Sequence, residues 1–341
     1  MRWDHGAPRW RGRGWRFAAP WMVGVSALTV LPLGGSAVLS GLRWDGLADW
    51  SEMEWVGGDH YAQALGTRAD AAPTANDPWY LQRLDVVPRD RRVYQSLYNS
   101  LIYSTFAVPL GLVVSLALAL LLNLNVRGIT VFRAIYYLPH VLGGVATIVI
   151  WSWLFNPTFG PINGLIGGVY WLLDPVVRLL GGAGTEGWPM PGWLYSPAWA
   201  KPAVIIMQAW TAGGTMLVFL AALQSIDASM LEAARLDGGG PRNRFCRIIL
   251  PQISPAILFN LVLGWVYSMQ AFSQSYLLYN RAQDDGLLFY VLYLYRCAFE
   301  SPYRLGYASA LAWILVAVLA IPTVLIYLTR RRWVHYDAEV A

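Results

Sequence analysis

Charge is scarce in this chain. Asp, Glu, Lys and Arg make up 13% of its 341 residues, about half the ~25% of an ordinary soluble domain. Lys201 is its sole lysine and stands in AWAKPAV. A phosphate-cradling G-x-x-x-x-G-K-[ST] loop needs a lysine in that place to reach the nucleotide, so no nucleotide site of that kind is present. H-E-x-x-H, C-x-x-C and G-x-S-x-G are missing too, and His5, His60, His140 and His335 are scattered. No metal site, cofactor site or nucleophilic triad can be assembled from such spacing. None of the long apolar runs has a carboxylate or lysine in its interior. Ion-coupled carriers need such groups, which are expensive in a membrane and therefore informative, so secondary transport is disfavoured.

What is abundant is apolar surface. Hydrophobic residues are 56% of the chain, tryptophan occurs 18 times and mean hydropathy is +0.41. This composition marks an all-α, polytopic membrane protein in contact with lipid. The net charge of +5 does not suggest nucleic acid, because the arginines gather at the ends of apolar runs, as topology signals do. About 20 apolar residues cross a bilayer as helix. Six stretches qualify: near 18–40, 98–122, 132–155, 202–224, 256–279 and 305–329. The first run, 17–42, follows Arg2, Arg9, Arg11, Arg13 and Arg16 and is too long for a cleaved signal, so it reads as an uncleaved span.

Four short segments then share one face: the tail 1–16, the turn Asn125-Val126-Arg127, the loop 225–255 and the tail 330–341. Their arginines place that face, and both termini, in the cytoplasm. The external segments are 43–97, with Asp45, Asp49, Glu52, Glu54, Asp59 and Asp77, then 157–201 and 280–304. Within 157–201, NGLIGGVYWLLD suits the outer interface, with Tyr170 and Trp171 as anchors. GLLFYVLYLY in the last segment is too short to span and too apolar for water, which points to an interfacial or re-entrant helix. Cys246 and Cys297 fall on opposite sides of the membrane, so no disulfide is expected between them.

The loop from Glu232 to Pro255 reads as two short helices with a break. Ser229 and Glu232 have capping-box spacing, which predicts a start near Met230. Gly238, Gly239 and Gly240 end that helix, and Pro241 suits the first position of the next. Phe245, Ile248 and Ile249 share a face from which Arg244 and Arg247 turn away, and Pro251 and Pro255 lead into the next run. Helices this short need a docking partner.

Glu232, Ala233, Ala234, Asp237, Gly238, Ile248, Leu250 and Pro251 resemble, residue for residue, the EAA loop of inner-membrane permeases of binding-protein-dependent ABC importers. Phe132–Asn163, Leu294–Leu315 and Arg330–Tyr336 resemble blocks of the sugar-importer permeases of the maltose, glycerol-phosphate and lactose type, specifically the first of that group's two permease subunits. The resemblance covers most of the chain after about residue 95, while 43–97 has no counterpart in it. It implies a cytoplasmic coupling helix that fits a cleft in an ATPase. The implied partners are a second permease, two cytoplasmic ATPase subunits and an external solute-binding protein, in a bacterial inner membrane. Glu232 then has two roles open to it, an ion pair with an ATPase arginine and the capping box.

For a substrate path, the polar and aromatic residues at membrane depth are the candidates: Gln208, Trp210 and Thr211 on the fourth span, and Tyr267, Ser268, Gln270, Ser273 and Gln274 on the fifth. Tyr267, Ser268 and Gln274 share a helical face. Aromatic faces with amides and hydroxyls suit neutral polyhydroxylated solutes. Bonding between helices is an equal alternative reading. A gapless count from the loop places Tyr267 and Ser268 where the maltose-type permease lines its sugar cavity, but with different residues, so no particular sugar is implied. Pro109, Pro139, Gly143, Gly144, Gly213, Gly214 and Pro322 recur inside the spans, where close packing is expected of most and kinks of the rest. His140 is read as a packed, hydrogen-bonded residue rather than a proton relay.

Overall fold

The computed structural model describes residues 14–68, 87–124, 126–280 and 285–335. The arginines from Arg2 to Arg13, the acidic Asp77 of the first external segment, Asn125 of the tight turn and Tyr336 lie outside the described residues. Helix dominates, and among the described residues the strands are four pieces of two residues each. They pair antiparallel as β1 (Leu42–Arg43) with β2 (Glu54–Trp55), and β3 (Thr67–Arg68) with β4 (Val87–Pro88). The described chain divides into two compact units.

The smaller unit contains 14–68, 87–90 and 294–316. Its first helix runs as α1 (Gly14–Val25), a π-helical turn over Ser26–Val30, and α2 (Leu31–Leu39). Phe17, Trp21, Leu28 and Leu31 are exposed around it, and the span buries no side chain in the protein. A helix apolar on all sides and 23 residues long is matched to lipid. The segment that follows, including α3 (Asp59–Leu65), folds onto the start of the last span. Gly306 gives its N–H to the Trp44 carbonyl at 3.1 Å. A Cβ there would sit 1.9 Å from the Leu42 carbonyl oxygen, so only glycine permits the approach. Tyr307 is buried, donates its hydroxyl to Asp90 at 2.7 Å, and takes the ring of buried His60 edge-on.

The larger unit is organised on α4 (Arg91–Leu122), which starts seven residues ahead of the expected span. Ser96, Ser100, Ser104, Ala107, Ser115 and Ala119 form its buried side. Small side chains let α8 (Pro197–Trp210), α9 (Gly213–Gln224) and α13 (Ser254–Met269) approach its backbone closely.

Three expected spans are interrupted. The third is α5 (Ile129–Val141) and α6 (Gly144–Leu154), bent by 97°, and the fourth is α8 and α9, bent by 46°. The fifth breaks at 270–272 between α13 and α14 (Ser273–Leu278). Four helical spans are long and apolar enough to cross a membrane, and six if each bent pair is one crossing. Glycine stands at two of these bends, in different roles. Gly143 has φ +76°, which a side chain resists. A Cβ on Gly213 would stand 2.6 Å from the Tyr136 carbonyl oxygen, so that glycine serves the packing of α9 on α5.

The first part of the apolar run at 286–295, read from sequence as interfacial or re-entrant, is buried in the protein. Leu287, Leu288, Phe289 and Tyr290 have essentially no exposed surface, and α15 (Tyr290–Phe299) begins from inside the protein. Asn99 donates to the carbonyls of Asp285 and Leu288 at 2.8 and 3.0 Å, and Ser100 accepts the Tyr290 N–H at 2.9 Å. Ser275 donates to the Leu287 carbonyl and accepts the Phe289 N–H. Those bonds pair backbone groups that hydrocarbon would leave unsatisfied. The stretch NGLIGGVYWLLD lies in helix α7 (Pro161–Leu179), where Trp171 is 74% exposed and Leu165 and Leu172 are exposed. Beyond it, Asp174 accepts the Thr185 N–H and the Arg178 Nε–H, both at 2.7 Å.

Two predictions follow from these contacts. Gly213→Ala lowers the thermal midpoint of the purified protein, at a cost of about 1–3 kcal/mol for overpacking, while Gly111→Ala, where a Cβ meets nothing within 4 Å, leaves it unchanged. The Thr185 N–H, helped by Arg178, holds the Asp174 carboxyl below its ordinary value. A depressed carboxylate stabilises above its unfolded pKa and loses that contribution as pH falls through the folded one. Protection of the Thr185 amide from hydrogen exchange is therefore expected at neutral pH, and is lost only as pH falls past the ordinary carboxylate value of about 4 and through the lower folded one. Asp174→Asn removes this pH dependence.

Candidate functional site

The loop at 225–255 forms two helices, as the glycines and prolines predict, but its start differs. Helix α10 spans Ala228–Leu236 and is capped by Asp227, whose carboxylate accepts the Ser229 N–H at 2.9 Å. The Ser229–Glu232 capping box is not made. Asp227 stands one residue ahead of the helix, where a side-chain oxygen reaches the orphan N–H of the second helical residue, and its charge favours the positive helix end. That N–H holds the Asp227 carboxyl below its ordinary value. Glu232 is left exposed, with no hydrogen bond or ion pair among the described residues.

The end of α10 is closed by its glycines. Gly238 has φ +76° and gives its N–H to the Arg235 carbonyl at 3.2 Å, and Gly239 reaches back to Ala234 at 2.8 Å. These two bonds are the Schellman closure. Asp237 is the C-cap, and Ala233, Leu236 and Asp237 are exposed.

The second arm is α11 (Pro241–Arg244), a π turn over Phe245–Ile249, and α12 (Leu250–Gln252). In the π turn the Leu250 N–H bonds the Phe245 carbonyl. A widened turn suits the following Pro251, which has no N–H to give and whose ring crowds the turn before it. Ile248 and Leu250 are half-buried, and Ile249 packs on the core around Met216, Phe219 and Ile253. The Gln252 amide donates to the Met230 sulfur at 3.1 Å, tying one arm to the other. All eight loop candidates thus lie on one two-helix feature, with Glu232, Ala233, Asp237 and Gly238 on its open side.

A cavity of about 760 Å³ lies between α4, α5, α8, α9 and α13, within the ~300–1,000 Å³ usual for small-molecule sites. Gln208, Tyr267, Ser268 and Gln274 line it. Gln270 does not: it falls in the 270–272 break, just past the end of α13 at Met269, and is exposed. Trp210 and Ser273 are also off the wall. Asn260 and Gly264 continue the Tyr267–Ser268 face at spacings of four and seven or eight, and following that stripe further would have found Asn260. Tyr103, Ser115 and Thr215 also line it and were not among the candidates. Tyr103 donates its hydroxyl to Gln208 Oε1 at 3.3 Å, and Ser115 donates to the Ala212 carbonyl at 2.9 Å, where the fourth span breaks.

His140 also departs from its expected packing. Its ring is exposed on the cavity wall over Gly214, tilted against Tyr137, and makes no hydrogen bond among the described residues. No lysine, arginine, aspartate or glutamate lines the cavity. Such a wall can stack, donate to and accept from a hydroxylated solute, but offers no fixed charge to bind an ion.

Residues 107–335 match the family described as "Binding-protein-dependent transport system inner membrane component". The chain is 30% identical over 329 residues to the probable ABC transporter permease protein YesP of Bacillus subtilis (strain 168), covering 96% of this chain and 93% of the relative. It is 29% identical over 328 residues to the lactose transport system permease protein LacF of Rhizobium radiobacter, covering 94% of each. Its fold is similar to that of a chain in the crystal structure of a bacterial alginate ABC transporter in complex with alginate pentasaccharide-bound periplasmic protein. That similarity has a TM-score of 0.67 at 21% identity and covers 95% of this chain and 97% of the other.

The cap assignment is open to a direct check. Asp227→Ala is expected to cost the α10 N-terminus about 1 kcal/mol and to speed amide exchange at Ser229 and Met230. Ser229→Ala, which leaves the cap in place, is expected to change neither.

Proposed function

The chain belongs to the inner-membrane component family of binding-protein-dependent transport systems, and from that premise we propose that it is the permease subunit of an ATP-driven carbohydrate importer. It is a multi-pass component of a bacterial inner membrane and a transport subunit rather than an enzyme. The observation that carries the carbohydrate reading is the uncharged cavity, walled by Tyr103, Tyr267, Gln208, Gln274 and Asn260. The relatives named for lactose and alginate support it. A wall without fixed positive charge suits a neutral saccharide better than an acidic one.

In this reading ATP is hydrolysed on a separate cytoplasmic ATPase dimer, and an external binding protein delivers the sugar. A second permease completes the pathway. Both termini and the 225–255 loop face the cytoplasm, and the external segments are 43–97, 157–201 and 280–304. Glu232, Ala233, Ala234, Asp237, Gly238, Ile248, Leu250 and Pro251 form the rigid handle that the ATPase moves. Glu232, with no partner of its own in the described residues, is free for an arginine of the ATPase. Support for a mechanical link comes from chain connectivity. Helix α9 lines the cavity at Gly214 and Thr215 and ends just before the loop, and α13 leaves the loop and lines the cavity at Asn260 and Tyr267. A push on the loop therefore acts on two cavity walls, which is what alternating access requires.

The test is reconstitution with partner permease, ATPase and binding protein in lipid. Saccharide uptake that follows ATP and survives collapse of ion gradients is expected, whereas uptake that fails with the ion gradient would indicate a secondary carrier. Gly238→Val places a β-branched residue at a positive φ it resists. With the assembly still formed, it is expected to lower uptake and binding-protein-stimulated ATP hydrolysis by about tenfold, since strain of this kind is worth roughly 1–3 kcal/mol. Unchanged coupling would remove the loop from the mechanism.

A further inference from the structure

Beside the main cavity lies a smaller chamber of about 190 Å³, below the usual ~300 Å³ of a whole ligand site and suited to a single sugar ring. His140, Gln208, Thr211 and Gln274 line both spaces, so they form the junction between them. The chamber exists because the third span turns by 97° at Gly143, which opens the start of α6 away from α5. Its floor is apolar, from buried Ile148 and Met207.

The polar groups around it are unspent. Helix α6 has no side-chain cap, so its first N–H groups open beside Gly143 and Gly144 on the chamber wall. Thr147, one turn further on, lines the chamber at 5% exposure, and its hydroxyl has no hydrogen-bond partner among the described residues. That hydroxyl opens onto the chamber with its donor and acceptor capacity free, so an occupant can bond it. The Gln274 amide and the His140 ring likewise make no hydrogen bond there, and Gln208 has its amide N–H₂ left to give after accepting from Tyr103. An apolar floor under neutral donors and acceptors fits the C–H face and hydroxyls of an uncharged sugar unit, and no charged side chain is present to fit a carboxylate or phosphate.

We propose that this chamber is a second saccharide subsite, holding one uncharged sugar unit of a solute whose remainder lies in the main cavity, with Thr147 its specificity-determining hydroxyl partner. The proposal rests on the carbohydrate-importer reading, and the two can fail separately.

The experiment uses the complete assembly in lipid and a neutral oligosaccharide, lactose or raffinose, that the assembly is first shown to take up. On a Cys246→Ser background, with buried Cys297 retained, Gly144→Cys reports on the chamber and Tyr267→Cys on the main cavity. A Cβ at Gly144 meets nothing within 4 Å, so the substitution is sterically free. Both positions are expected to react with maleimide more slowly when sugar is present. Thr147→Val is expected to raise the sugar concentration needed to protect Gly144→Cys by about fivefold, as loss of one neutral hydrogen bond predicts. Thr147→Ser restores it, and protection of Tyr267→Cys stays in place. Labelling at Gly144→Cys that ignores sugar while Tyr267→Cys is protected overturns the subsite and leaves the importer intact. Protection at Gly144→Cys that Thr147→Val does not weaken overturns the role of Thr147. An assembly that takes up no saccharide overturns the function on which both rest.

Discussion

The larger unit depends on one constraint: where a membrane helix unwinds, other parts of the protein must bond the freed backbone groups. An amide left without a partner in an apolar medium costs roughly 2–7 kcal/mol. Helix α4 answers that demand at two levels. Asn99 and Ser100 bond the non-helical stretch at 285–290, and Ser115 bonds the Ala212 carbonyl where the fourth span breaks. Ser275 does the same from α14. Because these bonds are made, the spans can bend, and because they bend, the unit encloses space rather than packing solid.

That space and the 225–255 loop are joined through shared helices. The two helices flanking the loop, α9 and α13, each carry a cavity wall, and Ile249 and Ile253 seat the loop's second arm in the core formed with α4 and α9. The loop's first arm is closed at both ends, by Asp227 and by the Gly238–Gly239 turn, so it can transmit a push without fraying. Its exposed side carries Glu232 and Leu236.

The smaller unit shows how the segment after the first span is held. The similarity to YesP and LacF covers it along with nearly all of the chain, and it is tied to the last span by the Gly306–Trp44 bond, the Tyr307–Asp90 bond and the ring of His60. Its two-residue ribbons are too short to stand alone, so these side-chain anchors carry its order.

Much of this was legible in the residues alone. Six apolar runs, arginines at their ends and the spaced motif from Glu232 to Pro251 determined the membrane class, the places of the spans and the two-helix loop. Hydrophobic length and glycine or proline punctuation are local properties, readable without knowing what lies across the bundle. Five of the eight path candidates, Gln208, Thr211, Tyr267, Ser268 and Gln274, line the cavity, and Trp210, Gln270 and Ser273 do not. What only the tertiary structure decided depended on distant partners. Asp227 rather than Ser229 caps α10 because the chain enters the helix two residues earlier than the motif spacing suggested. Gly143 is a bend and Gly213 a packing point, and composition cannot separate the two. The run at 286–290 is buried because Asn99, Ser100 and Ser275, up to about 190 residues away in sequence, bring the bonds that let it leave both water and lipid.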